Sequence, residues 1–264
     1  MRAIIILISV VLGMASGCGG TSGSSGKEEV AASFYPLAFA AEELGGDRVD
    51  VVNLTPPGTE PHDLEPTPSD VRELKSADLV LLLGHGFQPQ LEDAAGTSDR
   101  VVELLDTPGL NRFENDDPHV WLDPVRYELI GRKVGEELSA STSSVERFLA
   151  RLKTLDSEYR RGLAHCVRDD IVTSHDAFGY LAQRYGLHQI PITGLSPEAE
   201  PSPKDLSRIV DLVRSTHATT VFSETLVSPR IAEAVASETG ARTAVLNPIE
   251  GLEPSEAARG EDYF

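Results

Sequence analysis

Three histidines in this chain of 264 residues share a context in which they could do chemistry. His62 lies in "PPGTEPHDLEPTPSD", the loop after an expected strand at 47–54. His119 lies in "NDDPHVWLDP", just before a helix start. His175 lies in "IVTSHDAFGY", directly after an expected strand at 170–174, where a helix is expected to begin. Neutral imidazoles are good ligands for Zn2+ and its neighbours, and a carboxylate could complete a four-coordinate shell. Separations of 57 residues (62 to 119) and 56 residues (119 to 175) are unlike a Cys-x2-Cys finger or a helical His-Glu-x-x-His, both of which the sequence lacks. Ligands so far apart suit a site closed between two lobes. Taken singly, a loop histidine beside Pro or Asp is ordinarily a hydrogen-bonding surface residue. His165, His188 and His217 sit where no chemistry can be assigned; His85, in "LGHGFQPQLE" after a strand, is a further ligand candidate.

The elements that must position these residues follow a rhythm. From about Glu29, short apolar strands alternate with amphipathic helices. "EVAAS" (29–33) leads into "YPLAFAAEELGG", a helix stopped by Gly45 and Gly46, and "DRVDVVNL" (47–54) alternates as a strand. Ser69 with Asp70 is expected to open the helix "DVRELKSA", and "ADLVLLLG" (77–84) is a continuous apolar run, as a buried parallel strand should be. A helix at 88–95 and a short strand at 100–103 follow. This repetition implies a parallel sheet with helices on its faces, and ligands of such sheets sit beyond the carboxyl ends of the strands.

The rhythm then changes. Asp123-Pro124 pairs a capping aspartate with proline at the first helical position. No strand is expected from there until after Cys166. "SSVERFLARLKTLDSEYRRGLAHC" places Val145, Phe148, Leu149, Leu152, Leu155 and Tyr159 near one face. A helix of roughly 22 residues would be about 33 Å long, enough to bridge two lobes; a peripheral helix on a single domain is the alternative. Strand and helix then alternate again to the end, with no sequence repeat between the halves.

Composition narrows the partners. Against 42 acidic residues stand 23 basic ones, a formal charge of −19, which argues against nucleic acid because phosphate binding needs a Lys/Arg surplus. The start, "MRAIIILISVVLGMASGCGG", has one basic residue, an apolar run from Ala3 to Met14 and small residues up to Cys18. The run is too short to span a bilayer and reads as an export signal. "ASGC" resembles a bacterial lipoprotein signal, with cleavage before Cys18 and a diacylglycerol thioether on its sulfur, although Ala15 stands where such signals usually carry leucine. Gly19 to Gly26 are nearly all Gly and Ser, a flexible tether. Cys166 is then an odd cysteine in an exported protein, either a free buried thiol or one that lacks its partner.

Five stretches together carry a wider resemblance: "PPGTEPHDLEPTPSDVRELKSADLVLLLG", "DPHVWLDP", "VTSHDAFGYLAQRYGL", "GLSPEAEPSPKDL" and "VFSETLVSPRIAEAVASETG". In order and spacing they resemble the zinc/manganese solute-binding proteins of metal-importing ABC transporters, over nearly all of residues 29–264. The resemblance implies an α/β fold of two lobes, each a parallel sheet flanked by helices, joined by one long rigid helix. It divides the chain into a lipoprotein signal (1–18), a tether (19–28), an N-terminal metal-binding lobe (29–139), a linking helix (140–166) and a C-terminal metal-binding lobe (167–264) that stops short of the final helix relatives usually carry.

The same resemblance implies that His62, His119 and His175 are metal ligands. Histidine at the third position favours Zn2+ over Mn2+, in agreement with the preference of Mn2+ for oxygen. Relatives often place an aspartate in a turn after the last strand; here "LNPIEGL" has Asn247 at that place and Glu250 three residues on. An asparagine carbonyl is a weak zinc ligand, so Glu250 is the expected fourth ligand, with water or Asn247 as its substitute. Glu224, ending "VFSE", is expected to support a ligand rather than touch the metal. The function implied is a non-catalytic, monomeric receptor, lipid-anchored on the outer face of the cytoplasmic membrane. It would capture Zn2+ and hand it to an ABC permease and its ATPase subunit. Residues 63–118 hold only His85, so the histidine-rich loop of some zinc members is not expected. In some relatives a C-terminal cysteine would pair with Cys166; without one it is a free thiol.

Two other functions compete, a metal-dependent hydrolase and a surface adhesin. Catalytic zinc keeps an open coordination position and needs a nearby general base, so a fourth protein ligand speaks against the first. The sequence also has no P-loop and no nucleophile elbow. Nothing in it speaks for the second.

Overall fold

The computed structural model describes residues 26–96, 98, 100–110 and 116–264; the expected signal, with Cys18, lies outside the described residues. The first half builds a four-stranded parallel sheet in the order β2-β1-β3-β4 from β1 (Glu28–Ala32), β2 (Val49–Asn53), β3 (Leu79–Leu82) and β4 (Val101–Glu103). All four β3 residues are buried, as the unbroken apolar run predicts. Successive side chains serve opposite faces: Val30, Ala32, Leu79 and Leu81 join the main core, whereas Ala31, Val80 and Leu82 join a smaller cluster with Leu74 and Leu91.

The connecting helices are α1 (Tyr35–Gly45), α2 (Pro68–Ser76) and α3 (Pro89–Ala95). α2 starts earlier than Ser69 and Asp70 suggest. Thr67 is its cap, accepting the N–H of Ser69 and Asp70, while the Asp70 carboxylate takes the Thr67 N–H and Pro68 occupies the first turn. After β4, α4 (Pro124–Glu137) is capped as expected, the Asp123 carboxylate accepting the Val125 N–H at 2.9 Å.

The long helix α5 runs over Thr142–Leu163, 22 residues, with the Ser141 hydroxyl accepting the Ser144 N–H at its start. Phe148, Leu149 and Leu152 are buried, and Val145, Leu155 and Tyr159 pack against the same core, so the stripe read from the sequence is the face that packs. Gly131 of α4 lies so close beneath Phe148 that a Cβ there would be 2.4 Å from the ring. α5 packs on α1 and α4 and touches α6 (Gly179–Tyr185) of the second half.

The second half repeats the architecture with β5 (Asp170–Thr173), β6 (His188–Pro191), β7 (Thr220–Ser223) and β8 (Arg242–Val245), parallel in the order β6-β5-β7-β8. Its helices are α6, α7 (Pro203–Thr216), α8 (Arg230–Thr239) and the short α9 (Pro254–Ala258). One expectation fails here: no helix begins at His175, and α6 starts only at Gly179. The backbone groups of His175 are used elsewhere. Its N–H goes to the Glu224 carboxylate, and its carbonyl accepts from Thr173 Oγ1 and Gln189 Nε2. A residue whose main chain is bonded sideways cannot open a helical ladder.

The core does not divide where the sheets do. Its largest cluster joins Phe34, Trp121, Tyr127 and Phe148 to Phe178, Tyr180 and Leu181 of the second half and to Tyr263 near the end of the chain. A second cluster, with Val172, Ile190, Val213, Val221 and Val235, belongs to the second sheet alone. Among the described residues no helix is long and apolar enough to cross a membrane.

Candidate metal centre

Loops at the carboxyl ends of both sheets meet in one buried cluster. The first, after β2, is anchored where Thr55 Oγ1 donates to the Ser33 carbonyl at 2.7 Å. Further along, the Glu60 carboxylate accepts the backbone N–H of His62 at 3.1 Å and of Asp63 at 3.3 Å, folding the loop so that His62 points inward. Burial, then the nearby Glu250, lifts the Glu60 carboxyl to about 7. The His62 ring meets Phe87 edge-on, centroids 4.6 Å apart.

The second loop repeats the device. Asp117 Oδ1 accepts the His119 backbone N–H at 2.9 Å and bonds His119 Nδ1 at 2.8 Å. Glu60-Pro61-His62 and Asp117-Pro118-His119 are thus the same acid-Pro-His arrangement, in which a carboxylate two residues back fixes the histidine. From the second sheet, Glu224 holds His175 through its N–H at 3.1 Å and Nδ1 at 2.7 Å. Glu224 therefore stands behind a candidate ligand.

The fourth residue arrives on a turn after β8. Asn247 Oδ1 accepts the Ile249 N–H at 2.8 Å, and Ile249 takes a left-handed φ of +57°, which delivers Glu250 into the interior. Asn247 lies outside the cluster and shapes the turn. Glu250 is 1% exposed, and His119 and His175 are fully buried.

Glu250 Oε1 lies 3.4 Å from His62 Nε2, 3.1 Å from His119 Nε2 and 3.3 Å from His175 Nε2, and the last two nitrogens are 3.2 Å apart. The four donor atoms all lie within 4.8 Å of one another. A tetrahedral zinc shell with arms of about 2.0–2.1 Å has edges of about 3.3–3.4 Å, so the four separations of 3.1–3.4 Å suit a candidate zinc site. Because an ionised carboxylate can only accept, Asp117 and Glu224 keep the proton on Nδ1 of His119 and His175 and leave Nε2 directed at the cage.

The electrostatics are tightly coupled. Burial by itself would push His175 down, but its bonds to Glu224 and Glu250 override this and lift it to about 10. His119 is likewise lowered by burial and raised, on balance, by Asp117 and Glu250. His62, which lacks such a backing carboxylate on its ring among the bonds described, is held below its usual range by burial. Burial opposes ionisation of Glu250, yet hydrogen bonds from the three imidazoles hold it well below the carboxylate range.

A model of the family described as zinc-uptake complex component A, periplasmic (ZnuA), matches residues 30–264. The chain belongs to this family. Among ZnuA-family relatives, the high-affinity zinc uptake system protein ZnuA of Bacillus subtilis is 30% identical over 291 aligned positions, which cover 99% of this chain and 91% of that protein. The zinc-binding lipoprotein AdcA of Streptococcus pneumoniae is also 30% identical, but the chain spans only 55% of its length. Solved structures share the fold. The laminin-binding protein Lmb of Streptococcus agalactiae, described as a bifunctional protein with adhesin and metal transporting activity, superposes with a TM-score of 0.80 at 33% identity, covering 86% of this chain and 91% of Lmb. The Zn(II)-bound ZnuA-like domain of pneumococcal AdcA does so with 0.74 at 30% identity, covering 90% of this chain and 94% of the domain.

Three features of this ZnuA-family centre were not read from the sequence. Asp117 is one, although an aspartate two residues before a histidine was signal enough. Trp121 is another: its indole N–H donates to the Pro248 carbonyl at 2.8 Å, tying the His119 loop to the Glu250 turn. The third is the grip of Arg126 and of Arg184 of α6 on Asp123, whose cap of α4 was expected. His85 lies apart from the cage, bonded to Asp106. Cys166 is a free thiol and is exposed, which rules out the buried thiol that was one of the two readings of it.

Proposed function

We propose that this chain captures one Zn2+ outside the cytoplasmic membrane, holds it with His62, His119, His175 and Glu250, and delivers it to an ABC import permease powered by its ATPase subunit. The observation that carries this reading is the single Glu250 oxygen lying 3.1–3.4 Å from three imidazole nitrogens drawn from both halves of the chain. A shell of three nitrogens and one oxygen suits Zn2+, whereas Mn2+ favours oxygen donors and more of them. Four protein donors close a tetrahedral shell, which supports a carrier over a hydrolase. The names of the zinc-binding relatives point to the same cargo.

On this reading residues 29–139 and 167–264 are the two metal-binding lobes, and 140–166 links them through α5. Cys18 carries a lipid that holds the monomeric receptor to the outer face of the membrane. Zinc binding displaces the protons shared between the imidazoles and Glu250, while Asp117 and Glu224 keep theirs on the far ring nitrogens. The test is growth of a host strain deleted for this gene in zinc-chelated medium. Wild-type protein should restore growth and cell zinc, and His119→Ala should not; equal rescue by both would contradict the proposal.

A further inference from the structure

We propose that His85, Glu103 and Asp106 form a second, weaker site for a divalent transition-metal ion such as Zn2+, separate from the cage. A ring nitrogen of His85 and carboxylate oxygens of Glu103 and Asp106 all lie within 4.8 Å of one another. The strand register brings them together: β3 and β4 pair with Leu82 opposite Glu103, His85 follows three residues after Leu82, and Asp106 three residues after Glu103.

The backbone holds His85 in an uncommon position. Gly84, His85 and Gly86 have consecutive positive φ values of +89°, +58° and +82°. Left-handed backbone is uncommon outside glycine, although histidine adopts it more readily than most side chains. Glu103 lies across Gly84, where a Cβ would meet its Oε2 at 2.8 Å, so only glycine leaves room for this carboxylate beside the loop. On the far side the Glu92 carboxylate accepts the N–H of Gly86 at 2.8 Å and of Gln88 at 3.1 Å, leaving His85 to face Glu103 and Asp106.

A simple ion pair accounts for only part of this arrangement. His85 Nε2 lies 2.7 Å from Asp106 Oδ1, and one imidazolium can balance one carboxylate. The Glu103 carboxylate adds a further candidate donor that this ion pair does not use. One nitrogen and two oxygens, completed by water, select Zn2+ or a similar ion over Ca2+ and Mg2+, which prefer all-oxygen shells. All three residues are exposed, so the site is weak and exchanges freely. It shares no residue with the cage. Phe87, two residues beyond His85, nevertheless packs on the His62 ring, so one short loop touches both clusters.

The test is calorimetric titration with zinc chloride of the full chain already loaded with one equivalent of zinc, compared with His85→Asn and Glu103→Gln. Asparagine tolerates left-handed backbone, so the first variant removes the imidazole and keeps the loop. The wild type should take up a second equivalent more weakly than the first. His85→Asn should weaken it at least about tenfold, since even residues behind a metal ligand are worth that much, and Glu103→Gln should weaken it too. The first equivalent should be unchanged in both variants. Absence of a second event, a second event indifferent to His85→Asn, or loss of the first equivalent together with the second would overturn the assignment.

Discussion

Trp121 donates its indole N–H to the backbone carbonyl of Pro248, 2.8 Å away and 127 residues later in the chain. One hydrogen bond thereby joins the loop that presents His119 to the turn that presents Glu250. Each residue of the pair lies two positions from one of these metal-directed side chains, so closure of the cage and the environment of the indole are coupled.

Trp121 is the chain's single tryptophan, fully buried, with its ring centroid 5.1 Å from that of His119. Zinc binding should change the intrinsic fluorescence, saturating at one tight equivalent. Trp121→Phe should cost about 1–3 kcal/mol of stability in chemical denaturation, because the buried Pro248 carbonyl loses its donor. A spectrum indifferent to zinc would show that the cage does not form beside this ring.

Asp117→Asn and Glu224→Gln keep the size of each side chain and remove the charge that holds Nδ1–H of His119 and His175. Zinc affinity should fall by about 10–100-fold in each, measured by competition with a chelator of known strength. Unchanged affinity in both variants would mean that these carboxylates do not orient the ligands.

The pH dependence should extend further into alkali than free imidazoles suggest. His175 is lifted from 6.5 to about 10, and zinc must displace its proton. Affinity should therefore keep rising from pH 6.5 towards 10, by about tenfold per pH unit for each proton displaced. The metal-free fold should behave in the opposite sense. A group whose folded pKa is raised stabilises fully below its unfolded value and ceases to do so as pH rises through the folded one, so His175 stabilises at pH 6.5 and no longer does beyond about pH 10. A zinc affinity flat above pH 7.5 would contradict this.

Asp123 is buried between Arg126 and Arg184, the second of which belongs to α6 and also faces Asp156 of α5. Asp123→Ala removes one anion from two largely buried cations and should cost about 3–5 kcal/mol in denaturant unfolding. Because Asp123 is not in the cage, the tight zinc should survive in the folded variant. A loss well under 1 kcal/mol would show that this junction does not hold the halves together.

Much of the fold could be read from local pattern. The apolar run at 77–84 is the buried strand β3, Asp123-Pro124 caps α4, and the stripe from Val145 to Tyr159 is the packed face of α5. Local chemistry decides such features. The failures came where distant groups decide. A helix was expected at His175 because its bonds to Glu224 and Gln189 cannot be seen in the sequence. Nor does local pattern show that Phe178 and Tyr180 of the second half pack into the core of the first. For the site, three histidines at strand ends suggested a metal, but Glu250 came only from the family resemblance. The turn made by Asn247 and Ile249, which aims Glu250, is a matter of backbone conformation.

The central claim, that four residues from both halves close one zinc site, is tested most directly by counting zinc and measuring its affinity in the wild type and in His119→Ala. The account predicts one tightly held zinc per wild-type chain and an affinity at least about 100-fold lower in the variant, since a ligand should matter more than the residues behind it. Zinc held as tightly by His119→Ala as by the wild type would contradict it.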